Sequence, residues 1–202
     1  MADPYALAWL NDLLKIGPVQ IDLQRNEETS GAGSGQFWAA ELADPLWTVR
    51  VDLAAGTDAE VKRIEARLRR LGSNGVILFK DPKAVGLPYK KATIAAINGD
   101  RDKVRFGGLP QTVVIPEGTR FSVTLPSGQI WYAETYQSGK AGADGRTALI
   151  EVFPYPPMSL ATGAAVELTH PHFKATVTDR TPFTYQPGAF GQGATLTLLQ
   201  KP

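Results

Sequence analysis

His170 and His172, in the tripeptide His-Pro-His, come nearest to a metal-binding pattern in this sequence. Alternate residues of a strand point the same way, so two imidazoles at that spacing can share an ion. Pro171 between them makes a strand less regular and no third ligand is apparent. The expectation is therefore a strand end with surface histidines and no bound metal. The run Gly31-Ala32-Gly33-Ser34-Gly35 has the composition of a phosphate loop. Such a loop must leave a strand and open a helix, whereas Phe37 and Trp38 follow here. A flexible loop is expected, and no cofactor. Asp100 and Asp102 are close together, and Glu134 and Glu151 are candidates for a cross-strand pair. None stands beside an obvious nucleophile, and a glycosidase pair is a matter of separation in space rather than in sequence. Cysteine is absent, which removes disulfides, thiolate metal sites and cysteine nucleophiles. These residues point away from an enzyme.

Two other sets suit binding better. Trp131, Tyr132, Tyr136, Phe153 and Tyr155 fall within one β-rich stretch. Aromatic rings suit amphipathic ligands such as sugars, and Trp131, Tyr136 and Tyr155 are the candidates to face one. The plainer reading is core and rim of a β domain, where aromatics are common. The second set is Arg63, Arg67, Arg69 and Arg70 on a predicted helix. No aromatic residues interleave with them and the formal net charge is +1. A solvated face or a contact with another subunit is expected, rather than nucleic acid.

The stretch 45–82 positions the basic set. Trp47, Val49, Val51 and Leu53 alternate with Thr48, Arg50 and Asp52, the pattern of a half-buried strand. Thr57 stands three residues before Glu60, which fits a capping box, and Asp58 adds negative charge at the helix start. Val61, Ile64, Leu68 and Leu71 form one apolar stripe, so a helix is predicted over 57–71, closed by Gly72. Val76 to Phe79 is an apolar run that Asp81-Pro82 stops. A helix with one apolar stripe must lay it on a sheet.

Elsewhere the pattern is mostly β. Leu7, Leu10, Leu13 and Leu14 can share a face of a short helix within 4–16, and an irregular arm is the alternative. Val19, Ile21 and Leu23 predict a strand. The polar, glycine-rich run 25–36 predicts a mobile loop or the tip of a long hairpin, with 37–42 returning. Residues 84–89 read as a linker. Between 89 and 171, short strands and turns such as Asn98-Gly99, Ser127-Gly128 and Asp144-Gly145 predict a small antiparallel barrel. Residues 173–178 predict a strand, 181–192 a proline and glycine loop, and 195–200 a last, poorly alternating strand that returns to the first domain. The expected division is 1–88 with 172–202, and an inserted 89–171.

Length and composition agree with this. A chain of 202 residues suits one domain or two small ones and can bury a core without crosslinks. Twenty glycines and fifteen prolines favour many turns. No apolar run approaches the ~20 residues that span a bilayer. No basic region followed by a long apolar core opens the sequence, so no signal peptide is expected.

The succession of elements resembles that of the distal tail proteins of siphophages and of related tail-derived particles. The likeness covers residues 36–180. It rests on Leu68-Arg69-Arg70-Leu71-Gly72 leading through Gly75 and Phe79 to Asp81-Pro82, on Gly145-Arg146-Thr147-Ala148-Leu149 running to Phe153-Pro154, and on Val166 to His170 with Pro171 and Phe173. It implies a mainly β fold: a tail-tube-like β-sandwich with one flanking α-helix and an inserted small β-barrel facing outward. It also implies a non-enzymatic virion component at the tail tip, assembled in the host cytoplasm. Copies would form a ring, expected to be a hexamer, between the tail tube protein and the baseplate hub protein. DNA would pass through the channel only as cargo, and no membrane is involved. Segment 4–16 departs from the family pattern.

Cyclic symmetry repeats one contact until it closes, and neighbouring sheet edges can pair across it. In such a ring Arg25, Asn26, Glu27 and Glu28 would reach the next ring or subunit, and Arg63, Arg67 and Arg70 would meet a neighbour. Two alternatives remain open: a carbohydrate-binding host-attachment module, and a tail tube or tube-terminator subunit.

Overall fold

A computed structural model describes residues 4–31, 33, 35, 37–72, 75–84, 86–186 and 190–201, the side chains at 29, 37, 39 and 41 excepted. Ala32 and Ser34 of the glycine-rich stretch weighed as a phosphate loop lie outside the described residues, as do Gln36, Val85 of the expected linker and 187–189 of the expected loop.

Short 3-10 turns at Leu7–Trp9 and Asn11–Leu13 precede β1 (Ile16–Gly31), β2 (Phe37–Leu53), β3 (Gly56–Thr57), α1 (Asp58–Leu71) and β4 (Val76–Lys80). There follow β5 (Thr93–Ile97), β6 (Lys103–Gly107), β7 (Val114–Ile115), β8 (Arg120–Thr124), β9 (Ile130–Thr135), β10 (Gly139–Lys140), β11 (Ile150–Phe153) and β12 (Val166–Glu167). Last come β13 (His172–Thr181), β14 (Thr184–Gln186), β15 (Phe190–Gln192) and β16 (Thr195–Gln200). The fold is mainly β, and α1 is the only α-helix among the described residues. No helix among them is long and apolar enough to cross a membrane.

The chain divides into two compact units, Met1–Ile77 with Ala175–Lys201, and Leu78–Lys174. The cuts fall inside β4 and β13, not at the expected boundaries after 88 and 171. Leu78–Lys80 and His172–Lys174, expected in the first domain, group with the second unit, and ring packing accompanies this. The Phe79 ring meets Phe173 edge-on at 5.7 Å, and Phe173 lies 4.9 Å from the Tyr132 ring.

In the first unit a sheet runs in the order β1-β2-β16-β13-β4. Trp47, Val49, Val51 and Leu53 are buried on β2, as the alternation predicts. β16 pairs antiparallel with both β2 and β13. Its burial alternates strictly, with Leu196, Leu198 and Gln200 inside, although the sequence reads as a poor alternation. Leu199 is the reason: it is apolar but only half-buried on the other face. Gln200 is fixed where its side-chain oxygen accepts from the Trp47 N–H at 3.1 Å.

The helix starts as its sequence dictates. Thr57 and Glu60 form the capping box, and the Glu60 carboxylate accepts from the Thr57 N–H and hydroxyl at 3.0 Å each. Lys15 adds an ion pair to it at 2.8 Å. Val61, Ile64, Leu68 and Leu71 are buried, each such side chain stabilising by ~1.5–3 kcal/mol. The segment expected as a loop at 181–192 instead carries β14 and β15, and β15 pairs with β3 at the helix start. Glycine permits this: a Cβ at Gly191 would sit 2.9 Å from both γ-carbons of Val61. Segment 4–16 is not an α-helix. Leu10, at φ −133°, interrupts it between the two turns, and no side chain caps either. Tertiary contacts decide instead: the Tyr5 N–H donates to the Val76 carbonyl at 2.9 Å, and Leu10 and Leu14 are buried.

In the second unit the sheet order is β12-β8-β9-β11-β6-β5. Its two ends meet, since the Val166 N–H donates to the Ala92 carbonyl, Ile94 N–H to Ala164, and Gly163 N–H to Ile94, at 2.7–2.9 Å. The result is a barrel-like closure around Ile94, Val104, Phe106, Phe121, Val152 and Leu168.

The helix cap carries a pH dependence. Hydrogen bonds from Lys15 first, then from the Thr57 backbone and hydroxyl, lower the Glu60 pKa from 4.5 to about 2. The stabilisation is therefore complete above the unfolded value and is lost as pH falls through the folded one. The thermal midpoint of Glu60→Gln should lie below that of the parent near neutrality, with the gap closing toward pH about 2. A gap independent of pH contradicts this assignment.

Candidate assembly surface

β1 lies at the end of its sheet. β2 covers one side of it from Ile16 to Gly31, and among the described residues no strand pairs with the other side. Pro18, which has no N–H to donate, is tolerated on such an edge. β16 reaches β2 only from Thr48 to Asp52. Beyond Leu46, β2 pairs with β1 alone, out to Gly31 opposite Phe37. The far half of the hairpin is thus a two-stranded ribbon with register shifts around Asn26 at its base. Of the two expectations for 25–36, the described part follows the hairpin: Arg25 to Ser30 are strand.

A two-stranded ribbon is marginally stable by itself in water, and an open edge invites another strand. The ribbon also exposes Trp38 (70%) and Leu42 (67%). Arg25 pairs with Glu27 at 3.3 Å, and the Asn26 side-chain amide donates to the Asp44 carbonyl at 3.2 Å. Glu28 and Asp44 are exposed.

On α1, Arg63 and Arg70 are exposed, and the Arg67 guanidinium lies over the Trp9 ring at 5.6 Å. Trp9 is itself stacked on Tyr5 at 3.9 Å. Lys62 pairs with Asp58 at 2.6 Å and Arg69 with Glu65 at 2.5 Å. Glu65 interrupts the apolar stripe yet is buried, because it also accepts from the Phe183 N–H and the Tyr185 hydroxyl. Burial, then the Glu65 charge, raises the pKa of the Tyr185 phenol and keeps it a donor.

The barrel aromatics divide. Trp131 does not face a ligand: it is 7% exposed, meets Phe121 edge-on at 5.2 Å and donates its indole N–H to the Pro154 carbonyl. The β8–β9 pairing turns this end of β9 into core on both faces, which period-two counting does not foresee. Tyr136 and Tyr155 are exposed, each edge-on to Phe153 at 6.2 and 5.1 Å. His170 is exposed and precedes β13, and the His172 ring lies against the His170 carbonyl at 3.0 Å. Among the described residues no group of three metal-ligating side chains forms. Glu134 pairs across the strands with Phe153 rather than Glu151, and Asp102 is bound by the Asn98 side chain.

Sequence reasoning missed the strongest ionisable cluster. Asp81, read only as a strand stop, is buried, accepts from Arg120 at 2.9 Å and from the Tyr132 hydroxyl, and binds the Lys83 N–H at 2.7 Å. Arg120 also reaches Glu134 at 3.3 Å. Burial, then Asp81, pushes the Tyr132 phenol far above its usual range. Burial opposes the Arg120 cation, but bonding to Asp81 outweighs it. Asp81 and Tyr132 are buried, Arg120 and Glu134 are partly so, and the groups bond one another, so the network serves as a pin inside the barrel unit. The spacing of Asp81, Arg120 and Tyr132 in sequence carries no local signal for it.

Asp81→Ala should cost about 2–3 kcal/mol of unfolding free energy, since it removes the buried carboxylate to which both Arg120 and Tyr132 donate. Chemical denaturation of the full chain measures this, and a loss under ~1 kcal/mol means the network is not structural. No protein-family model matches this chain, and no curated protein matches it.

Proposed function

We propose that the protein is a structural, non-enzymatic subunit that closes into a ring in a phage tail. In this reading it is a distal tail protein at the tail tip of the virion, joining the tail tube to the baseplate hub. The carrying observation is the unpaired edge of β1 together with the two-stranded ribbon that continues it. Both leave backbone donors and acceptors that a neighbouring copy can satisfy. The resemblance carried by residues 68–82, 145–154 and 166–173 supports the phage-tail setting. Partners would be other copies of the chain, most simply in sixfold symmetry, the tube and the hub, with DNA only as cargo.

A second reading rests on the exposed rings of Tyr136 and Tyr155 about Phe153, which suit a sugar as part of a host-attachment module.

Mass photometry and sedimentation of the full chain at high concentration should show one discrete closed oligomer. A purely monomeric chain contradicts the ring. For the second reading, glycan binding that Tyr155→Ala abolishes would favour it, and an array without hits removes it.

A further inference from the structure

We infer that the contact between ring neighbours includes, besides the open edge of β1, an acidic strip on the β1–β2 ribbon of one copy seated on the arginine stripe of α1 in the next. The inference rests on the ring reading and specifies its interface.

The stripe consists of Arg63, Arg67 and Arg70. Their spacing of four and three residues places them on one helix face, where like charges repel. The carboxylates of the helix and its cap are engaged elsewhere: Asp58 with Lys62, Glu65 with Arg69, Glu60 with Lys15. Arg63 and Arg70 have no ion-pair partner among the described residues. The stripe therefore carries uncompensated positive charge over eight residues, about 10 Å of helix from first to last.

The ribbon carries the opposite charge at matching length. Glu28 and Asp44 are exposed and in no ion pair among the described residues. Asp44 lies level with the step between Gln24 and Asn26. Glu28 is three residues beyond that level, about 10 Å along the strand. Trp38 and Leu42 on the same ribbon supply apolar area that docking would remove from water, and Trp38 is the kind of large anchor that dominates interfaces. Both strips belong to one chain and differ from each other. Their contact is head-to-tail, the kind that closes into a ring when the rotation per copy allows.

The test uses the full chain in two double variants, Glu28→Arg with Asp44→Arg, and Arg63→Glu with Arg70→Glu. Each alone should weaken self-association about 10-fold or more, while melting like the parent. An equimolar mixture should reassemble, because the basic ribbon of one meets the acidic helix of the other. Parent assembly should also weaken as salt rises from ~50 to ~500 mM. If the parent forms its ring and either variant alone assembles equally well, or if mixing fails to restore assembly, this interface is wrong and the ring stands. A parent that never leaves the monomer overturns the ring reading itself.

Discussion

Backbone hydrogen bonding governs the first unit. β2 has a partner on both sides only where β16 lies against Thr48–Asp52, and that is where its buried alternation of Val49 and Val51 is complete. Past that point the same two strands continue with one partner each; Trp47 and Pro45 are still buried, and from Asp44 outward the described side chains of β2 are exposed. Trp38 and Leu42 are exposed for this reason and not because the sequence there turns polar. One strand thus changes from core to surface along its length as its neighbours run out.

The second unit solves the same problem differently. Its sheet ends meet through Ala92, Ile94, Gly163, Ala164 and Val166, leaving the apolar residues a common interior. Asp81, Arg120 and Tyr132 then fill a polar position with partners on each group. A buried carboxylate tolerates this setting because an arginine, a phenol and a backbone N–H all donate to it.

How far the sequence could be read depended on how local the cause was. α1 was legible to within a residue: the Thr57–Glu60 cap, the Val61–Leu71 stripe and Gly72 all act within a few positions. The strand β2 followed from the alternation of Trp47, Val49, Val51 and Leu53. Segment 4–16 misled because its leucines have a helical spacing, but Tyr5 is drawn to the Val76 carbonyl and nothing caps a helix there. Trp131 is a ligand-facing candidate by residue type, but its cover comes from Phe121 on the hairpin partner and from the Pro154 carbonyl, which the alternation of β9 alone does not report. Asp81 was invisible for the same reason: Arg120 lies 39 positions away and Tyr132 51. The exposed arginines were legible as a stripe, but their lack of partners was not, since Lys15 and Tyr185 come from other elements.

β16 inserts between β2 and β13, and the Gln200 bond to Trp47 spans 153 positions. During vectorial synthesis β1, β2 and α1 therefore emerge long before the strand that completes their sheet. All of β5 to β12, by contrast, are contiguous in the chain and can close on themselves meanwhile. The barrel is thus placed to fold first, while the earlier-made half of the other unit waits with its apolar face open. In a crowded cell that interval, and not the finished molecule, is when β2 is most exposed to the wrong partner.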